Sequence, residues 1–442
     1  MRPVEYPRLV GPTLGSHFSS VRSSHPGSSR SMRPDTILMS GGTDHGYARP
    51  SLTQELTSGS RSTMNREPQR IDFLDHLRGV AIALVFSFHA LGESFGRVTH
   101  QWGQWFVDFV DIAHHSRSYL ALFPFTYGGV GVTIFFVISG FCIHLSYERD
   151  HTKSFRTFFV RRFFRIYPPY CVAIVLFSFV ITPYQVATTS RDLITHVFLI
   201  HNLDVVSFFS INPSFWTIAS EVQLYALYPI LVLVARRFGW GTALWLAGTV
   251  ALSIKTYDIL QIQLGDILSP VPHWLWHSPF RYWFVWTLGA KLADDFLHGR
   301  ASTLSRVPVW VWPLLTILSG ILTPLQPFTW EFAALATERV IAHLLARPLS
   351  QNFFAHPLIR HLQTAGIASY SMYLLHQPVL SWLRGHAFPS SLIGDIHPLL
   401  IFLFCIGVWM PILFLAGFLY RFIEIPSVNL GKQFLRRCQL GR

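Results

Sequence analysis

Apolar residues in this chain come in long unbroken runs, and short polar, mostly basic stretches separate them. The first run lies within residues 70–96, RIDFLDHLRGVAIALVFSFHALGESFG, which opens on charges and then stays apolar around His89. Further runs fall at 127–147, 166–184, 214–235, 242–260, 279–297, 307–322, 331–346, 367–383 and 398–420. A helix needs about 20 predominantly apolar residues to cross a hydrocarbon core of about 30 Å. The pattern therefore predicts an all-α polytopic membrane protein with about ten transmembrane helices. The run at 331–346 is the least apolar, because it carries Glu331, Glu338 and Arg339. A short apolar piece at 193–203 is read as re-entrant, outside the ten.

Charge fixes the orientation. Six cations lie between Arg149 and Arg165, followed by Arg236 and Arg237, Arg300 and Arg306, then Arg347 and Arg360. The C-terminal end adds Arg421, Lys432, Arg436, Arg437 and Arg442. The alternate loops hold little beyond Arg97, Arg117, Arg191 and Arg384. Cytoplasmic loops are the ones enriched in Lys and Arg, so both termini are expected in the cytoplasm. The same distribution explains the net charge of +12 without a nucleic-acid partner.

Composition agrees with this picture. Half of the 442 residues are apolar and 13% are charged, with a mean hydropathy of +0.36. The four cysteines, Cys142, Cys171, Cys405 and Cys438, match neither a disulfide framework nor a metal-ligand spacing, so no metal site is expected. Residues 1–66 are rich in Ser, Arg, Gly and Pro, without periodicity, and read as a disordered tail. Met64 is an alternative start just before the first apolar run. The transmembrane domain is placed at 67–428 and a basic cytoplasmic tail at 429–442.

Candidate chemistry begins in the first run. Arg78 and His89 are eleven residues apart, which on a helix is about 16 Å along the axis and about 20° around it. With Arg78 at a membrane surface, His89 lies on the same face near the midplane. An ionisable ring at that depth is expensive and reads as functional. Glu221 sits inside another run and shares a helical face with Tyr225 and Tyr228 at i, i+4 and i+7. The glycines at the start of 127–147 are read as close-packing positions rather than a phosphate loop.

Five stretches together resemble the acyltransferase 3 family of integral-membrane acyltransferases. They are FLDHLRGVAIALVFSFH (73–89), GGVGVTIFFVISGF (128–141), FFVRRFFRIYPPY (158–170), SFWTIASEVQLYALYP (214–229) and IASYSMYLLHQP (367–378). Arg78 and His89 match the family's Arg-x10-His motif, and Arg162 and Arg165 its Arg-x-x-Arg motif. FIEIP at 422–426 resembles a family ending, with Ile425 where arginine is common. The resemblance covers about residues 70–428.

The resemblance implies transfer of an acyl group, usually acetyl, from cytoplasmic acyl-CoA as donor substrate, with no permanently bound cofactor. The acceptor is a hydroxyl of a surface glycan, a lipid-linked sugar or a small metabolite. His89 is the expected general base, since a neutral imidazole can take the hydroxyl proton. Glu93, one turn further on, is expected to fix its tautomer, and Glu221 to pair with a histidine or bind acceptor hydroxyls. Arg78, Arg162 and Arg165 are the expected donor-binding groups, because guanidinium forks suit phosphates. Trp216, Tyr225, Tyr370, Tyr373 and His376 are the acceptor-side candidates. Ser139 lies mid-run but outside any nucleophile elbow, so direct transfer is preferred over an acyl-serine. The setting implied is a bacterial cytoplasmic membrane. A secondary transporter, or a flippase of a glycolipid intermediate, is the alternative reading. A transporter of that kind is marked by repeated halves with broken helices.

Overall fold

The computed structural model describes residues 71–95, 117–182, 188–263, 269, 271–388 and 396–440, all within the compact unit Glu67–Arg442. Among them there is no strand. The α-helices of eight residues or more among the described residues are, in chain order, α1 (Phe73–Phe95), α2 (Val130–Glu148), α3 (Phe155–Val175), α4 (Ser190–Val197) and α5 (Trp216–Gln263). They continue with α6 (Trp283–Leu297), α7 (Val311–Ile321), α8 (Thr329–Ala346), α9 (Pro357–Ile367) and α10 (Ser369–Ala387). The chain closes on α11 (Pro398–Gly407), α12 (Trp409–Leu419) and α13 (Ile425–Leu440). Among the described residues, five continuous stretches are long and apolar enough to cross a membrane: Phe73–Phe95, Pro124–Glu148, Phe155–Val180, Pro213–Gln261 and Pro398–Cys438. Large apolar side chains such as Phe414, Trp245 and Leu233 lie outward on them, at 77%, 76% and 68% exposure. That outward greasiness suits lipid, not water. The protein is an all-α, multi-pass membrane protein.

Helix fills most of each of the ten expected segments, with informative differences at their edges. The stretch Pro213–Gln261 has 49 residues, about twice a bilayer crossing. Gly239 breaks it, with φ 87° and ψ 157°, a conformation that a Cβ would penalise. The break falls between the segments expected at 214–235 and 242–260. The basic stretch before residue 166, expected as a loop, is instead helix from Phe155, capped by the Ser154 side chain. Its prolines, Pro168 and Pro169, do not end it. Pro168 cannot donate to the carbonyl of Phe164, and Ser427 Oγ donates to that oxygen at 2.7 Å instead. At the other end of the chain, helix continues beyond the expected limit of 420, through a π-helical turn at Tyr420–Glu424, into α13. The piece at 193–203 is α4 followed by a single 3₁₀ turn, His201–Leu203.

Small residues set how closely the helices approach. Gly140 of α2 faces the carbonyl of Trp286, and Gly289 of α6 faces the carbonyl of Val137, so each backbone rests on the other. Gly79 of α1 and Gly366 of α9 make the same reciprocal contact, against Leu362 and Asp75. Gly128 and Gly131 press on the carbonyls of Leu84 and Ala81, as the glycine run led one to expect. Without a solvent-driven hydrophobic force, backbone proximity of this kind is what holds membrane helices together. The charges in α8 are also accommodated. Glu331 pairs with the buried Lys255, and Glu338 accepts from Ser302.

Candidate active site

Five helices, α1, α2, α3, α5 and α10, converge on one cavity of about 110 Å³. Seven of the expected site residues line it: Arg78, Arg162, Arg165, Glu221, Tyr225, Tyr370 and Tyr373. Helix spacing explains each pair. Arg162 and Arg165 are at i, i+3 on α3, Glu221 and Tyr225 at i, i+4 on α5, and Tyr370 and Tyr373 at i, i+3 on α10, so each pair shares a face.

The cationic end is built from α1 and α3. Asp75, buried one turn before Arg78, accepts from its guanidinium at 2.7 Å, while Nη2 donates to Cys142 Sγ at 3.1 Å. This fixes the fork against α2. Arg162 lies with its Cζ 5.9 Å from the centre of the Phe158 ring, and its Nε is shut off from water without a hydrogen-bond partner among the described residues. Arg165 is accessible, and the buried Glu424 supplies it with an opposite charge. Ser371 Oγ donates to Glu424 at 2.9 Å. Three guanidiniums against one lining carboxylate make the cavity attractive to anions, and guanidinium forks match phosphate oxygens.

The carboxylate belongs to a second network. Ser139 Oγ donates to Glu221 Oε1 at 2.6 Å, and the Tyr225 hydroxyl donates to the same oxygen. Trp286 Nε1 in turn donates to Ser139 Oγ at 3.2 Å. Further along the wall, the Tyr370 hydroxyl donates to the Ile166 carbonyl at 2.8 Å, and Thr217 Oγ1 lies 2.8 Å from the Tyr373 hydroxyl.

The histidines stand behind this wall rather than on it. His89 is half-buried, and its ring centre lies 5.0 Å from that of His376. His376 is fully buried, with its ring centre 5.1 Å from that of Tyr373. Ring contacts thus connect His89 to the cavity-lining Tyr373 by way of His376. Trp216 is also away from the cavity, packed against Tyr282 at 5.5 Å and Phe208 at 6.3 Å between ring centres. Glu93 has both oxygens engaged by α10, one by Ser381 Oγ and the other by Arg384 at 3.0 Å. The i, i+4 spacing to His89 gave no sign of that cation.

Sequence reasoning passed over several members of the site. Asp75 was readable, since an acid three residues before Arg78 on a helix will meet it. Glu424 lies within the FIEIP stretch, but its approach to Arg165 had no local signal. Nor did the bonds from Ser139 to Glu221 and from Trp286 to Ser139.

Fold and site together define a multi-pass helical membrane protein with a cation-lined internal cavity. The chain belongs to the acyltransferase 3 family, whose acyltransferase-domain model matches residues 71–418. It is similar to the peptidoglycan O-acetyltransferase OatA of Listeria monocytogenes, with 25% identity over 357 residues, covering 71% of this chain and 53% of that protein. The putative peptidoglycan O-acetyltransferase YrhL of Bacillus subtilis is 26% identical over 354 residues, with 71% and 53% covered. A putative O-acetyltransferase of Staphylococcus aureus, SACOL0978, is 23% identical over 355 residues, with 71% and 54% covered. The chain spans about half the length of these curated relatives. No solved structure matches it.

Proposed function

We propose that the protein is a membrane O-acyltransferase that moves an acetyl group from cytoplasmic acetyl-CoA to a hydroxyl of a surface glycan. The convergence of Arg78, Arg162 and Arg165 on one cavity is the observation that carries this reading. The donor's phosphates sit at that cationic end, and its pantetheine arm runs along the wall from Cys142 toward Val132. Those two lining residues of α2 are ten positions apart, so the wall is about 15 Å long at the helical rise. Ser139, Tyr225 and Thr217 offer hydroxyls along this length for the arm's amides.

At the far end the acceptor oxygen attacks the thioester carbonyl. His89 takes the hydroxyl proton as the C–O bond forms, the C–S bond breaks, and the proton passes to the departing sulfur. Glu221, Tyr370 and Tyr373 orient the reacting groups, and His376, between Tyr373 and His89, carries the proton from the cavity side to His89. Glu93 holds the outer end of α1 to α10 through Arg384. In this reading the ten helical segments all span a bacterial cytoplasmic membrane with both ends inside. The relatives named as peptidoglycan O-acetyltransferases support a cell-wall glycan as acceptor ahead of a lipid-linked sugar or a small metabolite.

The test is acetyl transfer by purified protein from radiolabelled acetyl-CoA to peptidoglycan fragments, in parallel with His89→Ala. Labelled ester with the parent, and about 10² to 10⁴ less with the variant, is the expected result. Absence of label with the parent, across glycan acceptors, rejects the reading and leaves a transporter or flippase.

A further inference from the structure

One ring pair stands part-way along the α2 wall of the cavity. Arg78 touches Cys142 at the cationic end. Phe135 is seven residues before Cys142 on α2, two turns or about 10 Å along the axis. There the Phe135 ring meets Tyr373 edge to face, with centres 6.0 Å apart and planes at 85°. Both residues line the cavity, and the rings of His376 and then His89 follow behind Tyr373. The pair therefore forms part of the cavity wall on the side that faces the histidines.

The two halves of this partition are held differently. Tyr373 is tied by its hydroxyl to Thr217, 2.8 Å away at the start of α5. The same junction is pinned by Asn212 Nδ2 donating to the Leu374 carbonyl at 2.9 Å, and by Ser214 donating to Gln377. Phe135 has packing alone to hold it, and it is only half-buried. One wall is rigid and the other is a single apolar ring.

We propose that Phe135, set against the anchored Tyr373, is the residue that limits the length of the acyl group. This rests on the assignment of the cavity to an acyl-CoA donor. An acetyl group on the donor's sulfur ends short of the ring pair, whereas each added methylene must displace the Phe135 ring from its edge-to-face contact. An apolar pocket discriminates by about 10-fold or more for each methylene it cannot admit. Trimming the ring to Ala opens space toward His376 and removes that discrimination.

The experiment compares acetyl-, butyryl- and hexanoyl-CoA as donors for purified parent, Phe135→Ala and Phe135→Leu proteins, read as the ratio of kcat/KM between donors. The parent should favour acetyl over butyryl, which is two methylenes longer, by at least about 100-fold. Phe135→Ala should reduce that preference about 10-fold, with Phe135→Leu between the two. Because the readout is a ratio within one protein, a fall in total activity does not obscure it, and the milder Leu variant serves if the Ala variant fails to fold. A parent that uses all three donors equally well, or variants that keep the parental ratio, would overturn the assignment of Phe135 while leaving acyl transfer itself intact. A parent that transfers no acyl group from any donor overturns the donor assignment, and this inference falls with it.

Discussion

The imidazoles of His89 and His376, brought together from α1 and α10, lie at a tilt of 52° with their centres 5.0 Å apart. His376 Nδ1 is 2.8 Å from the Tyr373 carbonyl oxygen. A carbonyl can only accept, so that nitrogen carries the proton, and a neutral ring is left with an accepting lone pair on Nε2, 3.5 Å from Ser214 Oγ. His376 is thus fixed in one tautomer beside His89. Replacing His89 with Ala should lower kcat by about 10² to 10⁴, the usual worth of a general base. His376→Leu should lower kcat while leaving the donor KM unchanged, because His376 does not line the donor cavity. His376→Gln, which keeps a donor and an acceptor, should restore part of the loss. Equal effects of both His376 variants on donor KM would place His376 in packing alone.

The cationic end makes a separate prediction. Arg165→Lys keeps the charge but loses the planar fork, and Glu424→Gln removes the opposite charge that faces it. Arg165→Lys should raise the donor KM about 10-fold, consistent with one charge-assisted hydrogen bond at about 1.5 kcal/mol. Glu424→Gln should raise it less. Steady-state kinetics with acetyl-CoA against its 3′-dephospho analogue checks the point. If Arg165 holds that phosphate, the dephospho donor should lose its sensitivity to the Lys substitution.

Much of this arrangement was legible because it is local. The apolar runs predict the helices, and the i, i+3 and i, i+4 spacings predict that Arg162 and Arg165, Glu221 and Tyr225, and Tyr370 and Tyr373 project together. Periodicity could not say which helices touch. Trp286 reaches Ser139 because Gly140 and Gly289 let α2 and α6 close on each other, and that contact is set between backbones. Glu93 shows the other limit. Its spacing to His89 was visible, but an opposite charge on α10 draws a carboxylate strongly in a low-dielectric setting. The start of α3 was obscured by its composition. Arginines among phenylalanines read as a membrane border, and only the Ser154 cap and the Ser427 bond to the Phe164 carbonyl reveal a helix there.

The reciprocal glycine contact should be intolerant of bulk. A Cβ at Gly140 would meet the Trp286 carbonyl, which is backbone and cannot swing aside. Gly140→Val should therefore push α2 from α6 and cost about 1–3 kcal/mol, the range seen for overpacked cores. The displacement would also break the Trp286 to Ser139 hydrogen bond. Thermal unfolding in detergent should fall by several degrees. Gly407→Ala, at a helical position with open space around it, should leave the midpoint near that of the parent.

A last prediction concerns acid. His196 and His201 are both fully buried and stack with centres 3.8 Å apart, their planes within 7° of parallel. His196 Nδ1 donates to the Asp192 carbonyl at 2.8 Å. Burial pushes the His196 imidazole down to about 4 from its ordinary 6.5, and drives His201 well below that ordinary value. The folded protein thus keeps both rings neutral, while the unfolded chain binds protons below about pH 6.5. Stability is full above that value and is lost as pH falls toward 4. At pH 5 the loss from His196 alone should be about 2 kcal/mol, since each tenfold change in proton affinity is worth about 1.4 kcal/mol. Asp204, held low by its hydrogen bond from Arg191, titrates beneath this window and does not obscure it. Melting curves at pH 7.5 and pH 5 should differ clearly for the parent, and by markedly less for His201→Phe. The phenyl ring preserves the stack but takes up no proton in the unfolded chain, so the share of the loss due to His201 disappears. An equal drop in both proteins would move the acid sensitivity elsewhere in the chain.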